Sequence, residues 1–126
     1  MNIPSELKYT KDHEWVRVSG NTARIGITDY AQDALGDVVF VAVPHIGAAV
    51  SDGDSFSEVE STKSVSEIYA PLSGKVVAVN TALEGAPELM NSDPYGEGWL
   101  CDIEISDVAA ANSLLDATAY RALIEE

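Results

Sequence analysis

The feature that most constrains the fold is a series of short alternating or β-branched segments, each followed by turn residues, across the first hundred positions. Segments 14–19 and 22–27 alternate on either side of Ser19-Gly20-Asn21, which predicts a β-hairpin. Segment 38–43 is a β-branched run ended by Pro44, and we expect a largely buried strand there. Short strands joined by tight turns indicate a sheet protein rather than a helical bundle.

A second hairpin is predicted over residues 56–70, because strands 56–61 and 65–70 flank the polar tip Thr62-Lys63-Ser64. Another strand, 75–79, follows Ser73-Gly74. Segment 99–105 also alternates, which places Cys101 on one face with Trp99, Ile103 and Ile105 and predicts a buried thiol.

Helices are predicted at three places along the chain. Thr28 is suited to cap a short helix that Gly36 ends, and residues 86–90 can form one turn with Pro87 at its first position. The third place is a helical tail over about 106–126. The expected class is therefore α+β, mostly β, in a single domain spanning residues 1–126.

Two helices are expected within the tail. Ser106 is a good N-cap for a helix over 107–115, and Asp116 can start a second one. Tyr120, Leu123 and Ile124 would share one apolar stripe of that second helix.

Acidic residues outnumber basic ones by 21 to 7, which gives a formal net charge of −14. Nucleic-acid binding rests on clustered Lys and Arg, so this balance excludes it as a main function, and it also argues against anionic membranes. Basic protein surfaces are the expected partners. The absence of a leader pattern or a long apolar run, together with a single cysteine, leads us to expect a cytoplasmic protein.

The sequence offers no self-sufficient active site. His13 and His45 are the only histidines, no G-x-S-x-G elbow is present, and no metal-ligand spacing occurs. Asp52-Gly53-Asp54 reads as a turn rather than a calcium loop. We therefore expect a protein that is not an enzyme.

Lys63 is one of four lysines, and it lies at the tip of the second hairpin. A lysine at a turn can simply be a solvated polar residue. However, this tip lacks the Gly, Asn-Gly or Asp-Gly that favours tight turns, so the presentation of the amine itself can be what the sequence specifies. A rigidly presented amine suits covalent attachment of a swinging prosthetic group.

The tip belongs to a set of blocks with a recognisable pattern. They are Tyr9-Thr10-Lys11-Asp12-His13-Glu14-Trp15-Val16, Gly26-Ile27-Thr28-Asp29-Tyr30-Ala31, Leu35-Gly36-Asp37-Val38-Val39-Phe40-Val41, Glu60-Ser61-Thr62-Lys63-Ser64, Pro71-Leu72-Ser73-Gly74, Asn91-Ser92-Asp93-Pro94-Tyr95-Gly96-Glu97-Gly98-Trp99-Leu100 and the helical tail. Together these blocks resemble the glycine cleavage system H-protein family, in which the hairpin lysine carries lipoate, and the similarity covers nearly the whole chain. Thr62 and Ser64 depart from the family's commonest tip, Ser-Val-Lys-Ala, but both are small and Thr62 keeps the β-branch.

The resemblance implies a hybrid barrel-sandwich fold with an N-terminal hairpin and C-terminal helices, in a monomeric carrier with no catalysis of its own. Lipoate in amide linkage to Lys63 would receive the aminomethyl group of glycine at a pyridoxal-phosphate-dependent glycine decarboxylase (P protein). It would deliver the one-carbon unit to tetrahydrofolate at an aminomethyltransferase (T protein). Dihydrolipoamide dehydrogenase (L protein) would then reoxidise the dithiol, and lipoylating enzymes would load Lys63.

The resemblance also implies a cleft that shelters the loaded arm, formed by Asp12-His13-Glu14 and by Ser66-Glu67. A carboxylate there would pair with the protonated amine of the cargo. Glu14 is the first candidate, followed by Glu67 and Asp12, whereas His13 is expected to pack or hydrogen-bond.

Two other residues of the hairpin region carry narrower expectations. Glu60 would either be read by the lipoylating enzyme or be one more solvated carboxylate. Gly74 is expected to take a backbone conformation that a side chain would strain.

Two other functions fit the same residues. The chain could be an H-like relay that passes lipoate to other enzymes, or an acidic interaction module whose Lys63 is never acylated.

Overall fold

The computed structural model describes residues 1–125, and every strand pair among them is antiparallel. The strands are β1 (Lys8–Tyr9), β2 (Glu14–Ser19), β3 (Thr22–Ile27), β4 (Val38–Ala42), β5 (Ala49–Val50), β6 (Ser55–Ser61), β7 (Val65–Tyr69), β8 (Gly74–Val79) and β9 (Cys101–Ile105). The helices are α1 (Asp29–Leu35), α2 (Ala82–Gly85), α3 (Leu89–Ser92), a 3₁₀ helix (Val108–Ser113) and α4 (Ala117–Leu123).

Two sheets form the body of the protein. One has the strand order β1-β2-β3-β9-β8-β5 and the other the order β4-β6-β7. The main apolar core lies between them, because β3, β8 and β9 contribute residues from one side and β4, β6 and β7 from the other. Its members include Ile25, Ile27, Val41, Val59, Ile68, Val76, Cys101 and Ile103. The predicted α+β, mostly β architecture is therefore confirmed.

Helix α1 connects the two sheets, and its ends are those that the sequence predicts. The Thr28 side chain accepts a 3.1 Å hydrogen bond from the backbone N–H of Ala31, which caps the helix. Gly36 ends it with a φ of 77°, a conformation that favours glycine. The predicted hairpins are present as β2–β3 and β6–β7.

Strand β4 is not the largely buried strand that we expected. Val39 and Phe40 are 53% and 51% exposed, whereas Val38 and Val41 are buried. The register against β6 shifts between Val38 and Phe40. The extra residue breaks the alternation, so two consecutive apolar side chains face outward.

Three helix predictions also need correction. The helical turn near Pro87 forms at α3, after that proline, and α2 precedes it without having been predicted. Asp107, not Ser106, caps the next segment, which is a 3₁₀ helix. Asp116 does cap α4. However, Leu123 is 47% exposed, so it does not belong to the buried stripe that we expected it to share with Tyr120 and Ile124. The last predicted tail residue, 126, lies outside the described residues.

A second apolar cluster ties the tail to the N-terminal strands. The rings of Tyr9 and Tyr120 stack with their centroids 4.7 Å apart, and Trp15 is fully buried beside them. Trp99 packs on this cluster rather than on the core that holds Cys101, contrary to the shared face that we predicted. The tail is thereby held against the start of β2.

Two interior positions complete the fold. Cys101 is buried as predicted, and burial raises the pKa of its thiol. The backbone of Gly74 is not in the left-handed region, so it does not have the strained conformation that we expected. Glycine is required there because a Cβ atom would clash with the backbone oxygen of Glu104 on β9.

Candidate functional site

Lys63 is exposed at the tip of the β6–β7 hairpin, where the hydroxyl of Ser61 holds the turn. That hydroxyl accepts the backbone N–H of Lys63 at 3.2 Å and of Ser64 at 3.1 Å, while the Ser61 N–H donates to the Ser64 carbonyl at 2.8 Å. No residue of the tip has a left-handed φ, because His13 and Glu125 are the only non-glycine residues with such a φ in the described part of the chain. The tip therefore turns without needing glycine, because a serine hydroxyl satisfies its amides.

The tip is also fastened to the segment that follows α1. The Thr62 N–H donates a 3.0 Å hydrogen bond to the carbonyl of Asp37. The alkyl chain of Lys63 lies along Gly36, since a Cβ at that glycine would be 3.2 Å from Lys63 Cε. The backbone around Lys63 is thus fixed by hydrogen bonds from Ser61 within the hairpin and by the bond between Thr62 and Asp37.

A cleft of about 280 Å³ begins beside the tip at Ser64 and runs along the inner side of the hairpin. The structure brings the three predicted carboxylates, Asp12, Glu14 and Glu67, to this one cleft. Its other walls are mainly apolar and comprise Ile27, Ala31, Ala34, Leu35, Val59 and Ile68, with His13 and Ser66.

Glu14 is the buried carboxylate of the cleft, with only 2% of its surface exposed. Its Oε1 accepts a 2.8 Å hydrogen bond from the Thr10 hydroxyl, and Oε2 accepts a 3.3 Å bond from the Tyr69 N–H. Burial raises the pKa of Glu14 to about 7, and these two hydrogen bonds partly oppose that rise. This group therefore changes charge near neutrality.

Asp12 and Glu67 differ from Glu14 because both are exposed. Glu67 lies at the edge of the cleft, because β7 turns its side chain to the face opposite Ser66 and Ile68, where it accepts a 3.0 Å hydrogen bond from the Tyr69 hydroxyl. Glu60 is partly exposed on β6, and the structure does not place it in the cleft.

His13 packs and hydrogen-bonds, as the sequence predicts. Its Nδ1 lies 2.8 Å from the Tyr120 hydroxyl, its ring lies 4.7 Å from that of Tyr30, and burial lowers its pKa. The Tyr120 hydroxyl also lies 2.8 Å from Thr28 Oγ1. Helix α4 thus contacts His13, a residue of the cleft wall, through the hydroxyl of Tyr120.

Sequence reasoning missed Thr10 and Tyr69, the two partners of Glu14. A signal for Thr10 exists, because its hydroxyl also accepts the N–H groups of Asp12 and Glu14 in a local turn. No local signal exists for Tyr69, whose backbone N–H reaches Glu14 across 55 positions.

The other lysines lack the setting of Lys63. Lys8 lies in β1, and Lys75 lies in β8 between Ala49 and Glu104 of the neighbouring strands. Lys11 lies in the turn before β2, beside a second surface groove that shares Asp12 and Glu14 with the cleft.

Comparison with known proteins assigns the chain to a family. The model of the Glycine cleavage H-protein family matches residues 7–126. The chain belongs to this family. It is 62% identical to the glycine cleavage system H protein of Mycobacterium avium over 99% of this chain and 98% of that protein. It is 64% identical to the H protein of Mycobacterium bovis at the same coverage.

A solved structure confirms the hybrid barrel-sandwich fold. The crystal structure of a glycine cleavage system H protein from Mycobacterium marinum superposes with a TM-score of 0.91 at 43% identity, covering 98% of this chain and all of that one. Within residues 1–125 the two sheets stay separate, which is consistent with this fold. Family membership confirms the general role as the carrier component of a glycine cleavage system.

None of the described helices is both long and apolar enough to cross a membrane. No group of three or more His, Cys, Asp or Glu residues among residues 1–125 is arranged to hold a metal ion.

Proposed function

We propose that the chain carries lipoate in amide linkage on Lys63 and shuttles the aminomethyl group of glycine between enzymes. The group would be loaded at a glycine decarboxylase and delivered at a tetrahydrofolate-dependent aminomethyltransferase, and dihydrolipoamide dehydrogenase would reoxidise the carrier. The observation that supports this most is the exposed Lys63, on a tip fixed by hydrogen bonds and next to a cleft that the buried Glu14 lines.

The residues present fit a lipoyl group. The amine of Lys63 is accessible for acylation, and the apolar walls of the cleft suit an alkyl arm. When attached, lipoate supplies a disulfide that opens to carry a one-carbon unit. The chain contributes position, shelter and charge, and we propose that it has no catalytic activity of its own.

Glu14 is the residue that we assign to the charged end of the cargo. A protonated amine beside its carboxylate would form a charge-assisted hydrogen bond in a partly dry site, where such bonds are stronger than in water. The approach of that cation would also favour the ionised form of Glu14, whose pKa is otherwise about 7. Asp12 and Glu67, being exposed, would act as weaker partners at the cleft mouth.

The overall charge suits a carrier that visits several enzymes. Acylation removes the positive charge of Lys63 and makes the formal net charge of −14 more negative by one unit. Long-range attraction to basic surfaces speeds encounters, while screened surface charges allow release. We propose that the protein acts as a cytoplasmic monomer.

A reconstituted system of the decarboxylase, lipoylated chain and pyridoxal phosphate tests the proposal through exchange of labelled bicarbonate into glycine. Lys63→Arg keeps the positive charge but cannot be acylated in the same way, so exchange should disappear. Lys75→Arg, an equivalent change on β8, should leave exchange intact.

The alternatives predict other results. Efficient transfer of lipoate to other enzymes without glycine exchange would support the relay. Protein from its native host with a permanently unmodified Lys63 would support the acidic interaction module.

A further inference from the structure

Three side chains form a row across the outer face of the β4-β6-β7 sheet, directly below the Lys63 tip. Phe40 pairs with Glu60, and Glu60 pairs with Val65, so the three residues share one face. Val65 is the first residue of β7, two positions after Lys63.

The two ends of this row are apolar and exposed. Phe40 is 51% exposed and Val65 is 60% exposed. The register shift in β4 adds Val39, which is 53% exposed, to the same side of the strand. We call Val39, Phe40 and Val65 the Phe40 patch. Bulges that re-aim side chains and exposed apolar groups that cluster are both typical of interaction surfaces.

Acidic residues lie within the Phe40 patch and in the neighbouring row of the same face. Glu60 lies within the row, and the next row of the sheet pairs Ala42 with Glu58 and Glu58 with Glu67. A complementary partner would present an apolar pocket bordered by Lys or Arg side chains.

We propose that the Phe40 patch is the docking surface for the enzyme that attaches lipoate to Lys63. This inference rests on the proposed function. The amine of the unmodified lysine has no lipoyl arm, so an enzyme that acylates it must bring its own surface against the residues around the tip.

The reaction served by this docking forms one amide bond. Lys63 Nζ attacks the acyl carbon of lipoyl adenylate, adenylate leaves, and the former ammonium loses two protons to solvent. The adenylate comes from lipoate and ATP bound by the partner enzyme, so the chain supplies only the amine and the surface.

Kinetics of lipoylation test the inference, with the purified lipoate-attaching enzyme of the native host, lipoate and ATP, followed by intact mass. Phe40→Ser and Val65→Ser should each lower kcat/KM for the chain by about tenfold, chiefly through KM, as expected for the loss of an anchoring side chain. The matched control is Val77→Ser, because Val77 is 40% exposed at a register shift of β8 in the other sheet. That variant should stay within about twofold of the parent.

Charge gives an independent second measurement. The kcat/KM of the parent should fall as salt is raised, and Glu60→Gln should weaken that salt dependence. If Phe40→Ser lowers the melting temperature, Val65→Ser decides the question, since its side chain is the more exposed. Equal kcat/KM for the parent and both patch variants would overturn the docking surface and leave the proposed function standing. Failure of the parent itself to accept lipoate would instead refute the proposed function, and this inference with it.

Discussion

The hydroxyl of Thr10 donates a 2.8 Å hydrogen bond to Oε1 of Glu14. Glu14 is the first residue of β2, and only 2% of its surface is exposed to solvent. This bond favours the charged form of Glu14, whereas burial disfavours it. The charge state of the cleft therefore depends on a threonine in the neighbouring turn.

Replacing that threonine tests its contribution. Thr10→Val keeps the shape but leaves Oε1 without its partner, so we expect a loss of about 1–3 kcal/mol in the free energy of unfolding at pH 8. The loss should be smaller at pH 5, where Glu14 is protonated. Urea unfolding at both pH values measures it, with Thr81→Val as the control because Thr81 makes no side-chain cap hydrogen bond. An equal loss at both pH values would contradict the assignment.

The raised pKa of Glu14 predicts a specific dependence of stability on pH. The folded state holds the proton up to a pKa of about 7, while the unfolded state releases it near 4.5, so stability should fall as pH rises through that window. The full difference is about 3 kcal/mol, from the usual 1.36 kcal/mol for each pKa unit. Glu14→Gln should remove this slope, and Glu58→Gln, at an exposed site, should keep it.

The pH slope must be taken as a difference between parent and variant. The pKa of His13 is lowered by burial, so its contribution to stability changes with pH in the opposite direction. That contribution is common to both proteins and cancels. An unchanged slope in Glu14→Gln would show that other groups cause it.

Shelter of the cargo is a separate prediction for Glu14. We expect Glu14→Ala to leave lipoylation of Lys63 intact but to speed the spontaneous loss of formaldehyde from the aminomethyl-loaded protein. The reason is that the protonated amine loses its carboxylate partner in a partly dry cleft. Mass spectrometry of the loaded protein, without the aminomethyltransferase, gives the half-life. Equal half-lives for variant and parent would remove Glu14 from the site.

Much of this site could be predicted from the sequence because its signals are local. The hairpin around Lys63 follows from the two predicted strands on either side of a polar tip, and the cap at Thr28 follows from its position before a helix. The resemblance to a family supplied Asp12, Glu14 and Glu67, and the structure places all three at one cleft.

The rest depends on contacts between distant positions. The Tyr69 N–H reaches Glu14 across 55 positions, and His13 meets Tyr120 across 107. The sequence analysis also did not predict the exposure of Phe40. One extra residue in β4 changes which side chains face outward, and the amino-acid composition of the strand does not reveal it.

Gly74 was correctly predicted to be a structural glycine, but for the wrong reason. Close packing against β9, and not its backbone conformation, requires glycine there, and a pair of substitutions tests this. Gly74→Ala should cost about 2–4 kcal/mol in the free energy of unfolding, because the new Cβ would clash with the Glu104 carbonyl. Gly85→Ala is the matched control, since a Cβ there meets nothing within 4 Å and alanine favours the helix α2. Denaturant unfolding compares the two, and a neutral Gly74→Ala would contradict the close approach of β8 and β9.

The claim that Lys63 carries lipoate is tested most directly by the intact mass of the protein purified from its native host, followed by mapping of the modified peptide. We predict the added mass of one lipoyl group on the peptide that contains Lys63, and none on peptides that contain Lys8, Lys11 or Lys75. Cells expressing Lys63→Arg should yield only unmodified protein. An unmodified parent from cells whose other lipoyl proteins are loaded, or lipoate on the Lys63→Arg variant, would contradict it.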